Sequence, residues 1–165
     1  MPEIRLRPAT ETDAAFLTDV VIEATRDQQR LAADFDEQSF RERFQQWTLE
    51  QIAAADADNA VSVIELDGQP AGRLRVVRTA DSIELAGIQF RPRYQSSGVG
   101  SSIIDGLKAE AVASDRTFTL GVEKDNPRAR SLYQRLGFVQ TGESDSEYLM
   151  RWDPSFRAAP VNLAE

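Results

Sequence analysis

A glycine-rich turn, QSSGVG at 95–100, is the segment with the clearest potential for binding chemistry. It stands between an apolar run, 83–90, and a helix-like stretch, 101–113. A strand that leads through such a turn into a helix exposes backbone N–H groups at the helix N-terminus, where the helix dipole favours negative charge. Because Gly98 and Gly100 permit positive φ and close backbone approach, the turn is suited to a phosphate or pyrophosphate. The alternative is an ordinary connection in which the glycines only make the turn.

Two familiar phosphate-binding motifs can be compared with this turn. A P-loop requires Lys and then Ser or Thr after its last glycine, whereas two serines follow Gly100. The dinucleotide fingerprint matches Gly98 and Gly100 but has Ile103 in place of the third glycine, although Glu123 lies at a plausible distance for a ribose contact. The chain also ends in a predicted hairpin, which argues against a dinucleotide fold built from further parallel βα units.

The composition limits the chemistry that is available. The 165 residues include no cysteine and no histidine, which excludes cysteine nucleophiles, serine–histidine triads and the usual zinc ligands. Acid–base chemistry therefore falls to Asp, Glu, Tyr, Lys or water. The net charge of −8 argues against a nucleic-acid partner and agrees with a cationic one. Since no membrane span or secretory signal is evident, we expect a cytoplasmic protein without a membrane partner.

Alternating strand-like and helix-like patterns predict the elements that position the turn. Thr10 begins a helix as a cap, Asp67-Gly68 is a strong hairpin signal, and Gly137 suits a helix end. Phe44 and Trp47, with Phe40, recur at helical spacing and are expected to face the core. The expected elements are strand 4–8, a helix after Thr10, helix 39–55, strands 60–66, 71–78 and 83–90, helix 101–113, strand 116–122, helix 126–138, and strands 138–143 and 146–152.

The order βααβββαβαββ predicts an α/β class fold, with a mixed sheet and helices on its faces. The length fits one domain. We expect this domain to cover residues 1–153, with a flexible C-terminal tail at 154–165.

Two motifs carry a resemblance to a known family. In order and spacing, QSSGVG (95–100) and NPRARSLYQRLGF (126–138) resemble the GNAT superfamily of acetyl-coenzyme A-dependent N-acetyltransferases, over about residues 4–152. The resemblance implies a GNAT-like, mostly antiparallel sheet splayed between its fourth and fifth strands, acetyl-coenzyme A as cofactor, and acetyl transfer to a primary amine. A non-catalytic acyl-coenzyme A sensor on the same fold is the alternative, and a dinucleotide-binding protein is less favoured.

The resemblance also implies which residues hold the cofactor. The amides of the loop would hold the pyrophosphate, and backbone groups of 88–90 would bind the pantetheine arm and polarise the thioester carbonyl. The side chain of Gln89 is expected to face solvent, and Arg128 and Arg130 to approach the adenosine phosphates. The implied cofactor-binding residues are Ile88, Gln89, Phe90, Gln95, Ser96, Ser97, Gly98, Val99, Gly100, Ser101, Asn126, Arg130 and Tyr133.

The loop carries Ser96 and Ser97 where many members of the family have Arg or Lys. Neutralisation of the phosphates is therefore expected from amides, hydroxyls and the nearby Arg91 and Arg93.

Tyr133 and Glu84 are the candidate catalytic residues. Tyr133 lies two helical turns after Asn126, so the two face the same way, and the family's tyrosine at this position protonates the leaving thiolate. Packing between helix and sheet is the alternative. Several family members place a base glutamate where Glu84 lies, and we expect it to be partly buried with a raised pKa, unless it is an exposed charge. Glu123 is the second candidate for the general base. Because the chain has no cysteine, direct attack of the amine in a ternary complex is favoured.

The acceptor is expected to be a cationic amine, either a small molecule or a peptide. In the resembled fold, acceptor specificity comes largely from the segment that joins the first two helices and from the last hairpin turn. Here these are LAADFDE (31–37) and ESDSE (143–147), both acidic. Ordinary polar loops are the alternative, and a homodimer is possible.

Overall fold

The computed structural model describes residues 1–154, which contain four α-helices and seven strands. Their order confirms βααβββαβαββ, with short 3-10 turns before the first helix and after the fourth strand. The elements are β1 (Ile4–Pro8), α1 (Ala14–Asp27), α2 (Glu37–Ala53), β2 (Asn59–Leu66), β3 (Gln69–Arg78), β4 (Ser82–Phe90), α3 (Val99–Ser114), β5 (Thr117–Glu123), α4 (Pro127–Arg135), β6 (Val139–Glu143) and β7 (Glu147–Trp152).

The strands form one mixed sheet in the order β1-β2-β3-β4-β5-β7-β6. Strands β4 and β5 pair in parallel, from Ser82↔Thr117 to Leu85↔Leu120. The β1–β2, β2–β3, β5–β7 and β6–β7 pairs are antiparallel. The predicted mixed α/β fold is therefore confirmed, and the parallel ladder between β4 and β5 is four residue pairs long.

The described chain divides into two compact units. The first contains Met1–Val77 and Gly87–Val99. In it, β1, β2 and β3 form an antiparallel ladder, and a cluster that includes Leu17 and Val63 packs α1 against β2. The β2–β3 turn has φ of 49° at Asp67 and 81° at Gly68, as a tight hairpin of this type demands.

The second unit contains Arg78–Ala86 and residues 100–154. Its core includes Phe118 of β5, whose ring meets the Phe138 ring edge-on at 5.1 Å. Helix α4 ends at Arg135, Leu136 is its C-cap, and Gly137 then takes φ of 97°, so the glycine predicted to end this helix does so.

The aromatic stripe of α2 does not lie in the core, contrary to expectation. Thr48 is the residue of this helix that is fully buried, whereas Phe40, Phe44 and Trp47 are half-buried. The Phe40 and Phe44 rings stack with centroids 5.3 Å apart, and the Phe44 and Trp47 rings meet at a tilt with centroids 5.6 Å apart. Helical spacing alone cannot distinguish a stripe that faces the core from one that packs against partly exposed side chains.

The single domain over residues 1–153 stays a prediction, and the tail lies, apart from residue 154, outside the described residues. Across residues 1–154, none of the helices combines the length and the apolar character that crossing a bilayer requires.

Candidate active site

The glycine-rich loop has the local geometry of a strand-to-helix turn. A 3-10 turn, Pro92–Tyr94, precedes it, and α3 begins at Val99. Ser96 has φ of 59° and Gly98 has φ of 83°. A Cβ added at Gly98 would meet nothing closer than the Met1 Cε at 3.7 Å. The backbone conformation therefore requires this glycine, and the space around it does not.

Two side chains of the loop hold its shape. The Ser97 hydroxyl donates to the Tyr94 carbonyl at 2.9 Å, and the Gln95 side-chain amide donates to the Phe90 carbonyl at 3.3 Å. The Ser97 hydroxyl hydrogen and one of the two Gln95 amide hydrogens are therefore engaged within the turn. The first four amides of α3 have no partner inside the helix, so they supply the donors for an anion.

The two arginines beside the loop differ in their partners. Arg91 donates to the Glu23 carboxylate at 3.2 Å, which neutralises it. Arg93 is exposed, lies over the Tyr94 ring at 4.8 Å and donates to its hydroxyl at 2.7 Å. Since Tyr94 is a neutral partner, Arg93 keeps its charge for a phosphate.

Glu84 is exposed, so the expected partial burial is wrong. Its neighbours Ile83 and Leu85 are buried, and side chains alternate along a strand, so Glu84 points the other way. In the parallel ladder it is opposite Thr119.

Tyr133 is half-buried in α4, and its ring meets the Phe138 ring at 5.9 Å. Burial raises the pKa of the Tyr133 hydroxyl to about 12, so the group is protonated at neutral pH. Asn126 is the N-cap of the same helix, where its Oδ1 accepts from the Ala129 amide at 3.2 Å. The Asn126 side-chain NH₂ is left to contact a ligand.

Arg130 packs against the C-terminal hairpin. Its guanidinium lies 4.2 Å from the Tyr148 ring centroid and donates to the Gln140 side chain at 2.8 Å, while its Nε is buried without an acceptor. Arg128 is exposed. Of the two arginines implied to reach phosphates, only Arg128 is thus free of such packing.

The acidic segments are partly neutralised by basic side chains. Glu37 pairs with Arg26 at 2.6 Å and Arg41 at 3.0 Å, and these bonds hold the pKa of Glu37 below its ordinary value. Glu143 pairs with Lys124, which likewise lowers the pKa of the Glu143 carboxyl. The charge available to attract a cation is therefore smaller than the sequence suggests.

The sequence did not reveal two polar features near the predicted site residues. Gln89 does not simply face solvent, because its Oε1 accepts from the buried Arg73 guanidinium at 2.9 Å. In the second unit, the half-buried Glu147 carboxylate covers Gly121, where an added Cβ would lie 2.7 Å from Oε1. Arginine at alternate positions of β3 was a signal for the first feature, whereas nothing local signalled the second.

Comparisons with known proteins agree with this geometry. The sequence matches the acetyltransferase (GNAT) family over residues 19–138. A PaiA N-acetyltransferase from Thermoplasma acidophilum in complex with coenzyme A is 18% identical, with a TM-score of 0.77 over 92% of this chain and 99% of that one. An acetyltransferase from Thermus thermophilus is 20% identical, with a TM-score of 0.71 over the same shares.

A third solved structure, the ribosomal L7/L12 alpha-N-protein acetyltransferase RimL in complex with coenzyme A, is 15% identical. Its TM-score is 0.63 over 91% of this chain and 93% of that one. The dinucleotide alternative fails, because the sheet is largely antiparallel rather than doubly wound. The chain belongs to the GNAT acetyltransferase family, which uses acetyl-coenzyme A as cofactor, and it is an acyltransferase with that family's fold.

Proposed function

We propose that this protein transfers the acetyl group of acetyl-coenzyme A to a primary amine by direct attack within a ternary complex. The observation that supports this most is the loop at Ser96 and Gly98, whose two positive φ angles lead into a 16-residue helix with unpaired N-terminal amides. Such a turn fits a pyrophosphate. Without cysteine, the chain cannot form an acetyl-cysteine, which favours direct attack by the amine.

The proposed cofactor contacts follow from the side chains that remain available. The amides of 95–101 would bind the pyrophosphate, and Arg93 would add charge. The strand backbone at 88–90 would bind the pantetheine arm, and the Asn126 NH₂ group is a further proposed cofactor contact. We retain Arg130 as a contact, although its packing on the hairpin favours a positioning role.

Tyr133 is the proposed donor to the departing sulfur. At neutral pH it carries its proton, and the contact between its ring and that of Phe138 helps to hold the hydroxyl in position. Acetyl-coenzyme A supplies the activated acyl group, and the chain supplies orientation and this proton donor.

We propose Glu84 as the general base, acting through water because its side chain is exposed. Glu84→Gln is expected to lower kcat about 10- to 100-fold near neutral pH. Steady-state rates between pH 6 and 9 check this. Matched Glu123→Gln, which removes the second candidate for the base, and Glu147→Gln proteins are compared under the same conditions. Wild-type behaviour of Glu84→Gln alongside a slow Glu147→Gln would move the role to Glu147.

The acceptor amine is proposed to be cationic in its resting form, in a small molecule or a peptide, with 31–37 and 143–147 as acidic segments that attract it. Glu37 and Glu143 have cationic partners, so the other carboxylates of these segments would provide the attraction. The cytoplasmic location, the homodimer and the single domain stay predictions from the sequence.

Thiol release from acetyl-coenzyme A across a panel of amines tests the proposal. Polyamines, aminoglycosides, amino acids and lysine-bearing peptides cover the main classes, and a chain without cysteine adds no thiol background. We expect release with one class of amine only. Tight cofactor binding without release from any class would instead support an acyl-coenzyme A sensor.

A further inference from the structure

Arg73 of β3 is a buried cation without an anionic partner. It is 4% exposed, and its Nη1 donates to the neutral Gln89 side chain at 2.9 Å. Its Nε is buried and has no acceptor, and among residues 1–154 no carboxylate lies within ion-pair distance of it. A buried charge is normally paired and fully hydrogen-bonded, so this guanidinium lacks the partner that burial requires.

A second arginine lies on the same face of the strand. Arg75 is half-buried, donates to the Gln51 side chain at 3.3 Å, and also has a buried Nε without an acceptor. It too has no carboxylate partner among the described residues. Burial, with a smaller contribution from the Arg75 charge, lowers the pKa of Arg73 to about 10, which leaves it charged at neutral pH. Two neighbouring guanidinium groups without a carboxylate repel each other, and a bound anion would offset that repulsion.

Aromatic rings of α2 complete the surroundings. The Arg73 guanidinium lies 5.3 Å from the Phe44 centroid and 6.0 Å from that of Trp47, and Arg75 lies 5.1 Å from Trp47. Ring faces attract a cation, but they accept no directional hydrogen bonds in its plane. The half-buried rings therefore hold the arginines in place and leave in-plane donors for another group.

Gly87 makes room for the guanidinium. A Cβ added there would lie 2.3 Å from the Arg73 Nη1, and φ of this glycine is not positive. The backbone does not require glycine at this position, whereas the position of the arginine does. The absence of a side chain at 87 thus preserves the orientation of Arg73.

We propose that Arg73, supported by Arg75, binds an oxyanion of the acceptor, so that the acceptor is a small amine that also carries a carboxylate or phosphate. This inference rests on the proposed function. Gln89, the partner of Arg73, belongs to the strand segment proposed to bind the pantetheine arm. The loop at 95–101 is already proposed to hold the cofactor's own phosphates, so the anion at Arg73 is assigned to the acceptor. The guanidinium fork matches a carboxylate or phosphate in geometry.

Paired acceptors test the proposal. The first pair is phenylalanine and phenethylamine, which differ by the carboxylate, and the second is O-phosphoethanolamine and ethanolamine, which differ by the phosphate. With the wild-type protein we expect kcat/KM to be about 10- to 100-fold higher for the acidic member of one pair. The pair that shows the preference identifies the oxyanion.

Three variants assign that preference. Arg73→Gln is expected to abolish the preference for the acidic acceptor by raising KM for that acceptor, with KM for acetyl-coenzyme A unchanged. Gly87→Ala displaces the guanidinium without removing it and should reduce the same preference. Arg73→Lys provides a second variant, with the charge retained, if the glutamine variant folds poorly. Arg5→Gln removes an exposed arginine of β1 and serves as the control. Equal loss of kcat for every acceptor would overturn the proposal, as would an unchanged preference in the Arg73 variants.

A binding measurement separates this inference from the proposed function. The probes are 3-phenylpropionate and inorganic phosphate, which carry the oxyanion but no amine, added without acetyl-coenzyme A. We expect one of them to raise the Tm of the wild-type and Arg5→Gln proteins but not that of Arg73→Gln. A rise in Tm without turnover of any amine would support the anion site and contradict the proposed function. Turnover of amines without a rise in Tm and without a preference for the acidic acceptor would support the proposed function and contradict the anion site.

Discussion

Replacing Tyr133 with phenylalanine is expected to lower kcat by about 10²- to 10⁴-fold, the usual contribution of a positioned proton donor. The ring packing against Phe138 is retained in the variant, so acetyl-coenzyme A affinity should hardly change. Stopped-flow thiol release with a saturating amine and calorimetric titration of the cofactor measure the two quantities separately. Equal turnover in the two proteins would leave Tyr133 with its packing role alone.

The raised pKa of Tyr133 refines what this donor can do. A thiol ordinarily titrates near 8.5, whereas this hydroxyl titrates at about 12, so complete proton transfer to a thiolate would cost about 5 kcal/mol in the unliganded environment. We therefore expect a hydrogen bond to the departing sulfur, which stabilises developing charge without full transfer. The pH–rate profile should accordingly show no alkaline limb from Tyr133 below about pH 10.

Burial of the Tyr133 hydroxyl also makes the free energy of unfolding depend on pH in a way that Tyr133→Phe should lack. The unfolded tyrosine titrates near 10, and the folded one near 12, so the unfolded chain loses its proton first as pH rises. The resulting stabilisation is complete below about pH 10 and is lost by about pH 12, an effect of about 2 to 3 kcal/mol. Urea unfolding at pH 8 and pH 11 should show a larger decrease for wild type than for Tyr133→Phe. Parallel decreases would contradict the burial of the hydroxyl.

Much of the fold could be predicted because its boundaries are punctuated locally. The Thr10 amide binds the Asp13 carboxylate at 2.8 Å, and Asp67, Gly68 and Gly137 take the positive φ angles that their sequence signals imply. Each of these signals involves residues within a few positions of one another. Such interactions survive in any tertiary arrangement, which is why the order of elements was readable.

The side-chain environment was less predictable because it depends on distant partners. Arg73 and Gln89 are 16 residues apart and meet only when their strands are placed side by side. For Glu84, the period of two placed the residue on a face but did not show which face is buried. The arginines at 73 and 75 carried information, since two cations at alternate strand positions need an explanation if that face is covered.

A valine at Gly98 is expected to reduce acetyl-coenzyme A affinity at least about 100-fold, the effect of losing one or two hydrogen bonds to charged phosphate oxygens. Gly98 has φ of 83°, a conformation that a β-branched residue strongly resists. The peptide units on either side must rotate, and the amides then no longer converge on an anion. Calorimetric titration with coenzyme A measures the loss.

The fold should persist, because the strain is confined to an exposed loop and an added Cβ meets no atom closer than 3.7 Å. We expect a decrease of about 1 to 3 kcal/mol in the free energy of unfolding. The matched control is Gly106→Ala in α3, where nothing lies within 4 Å of the new Cβ. It should gain about 0.5 to 1 kcal/mol and bind coenzyme A normally. If the valine variant also binds normally, the pyrophosphate must be held elsewhere, and the loop is then only a connection between β4 and α3.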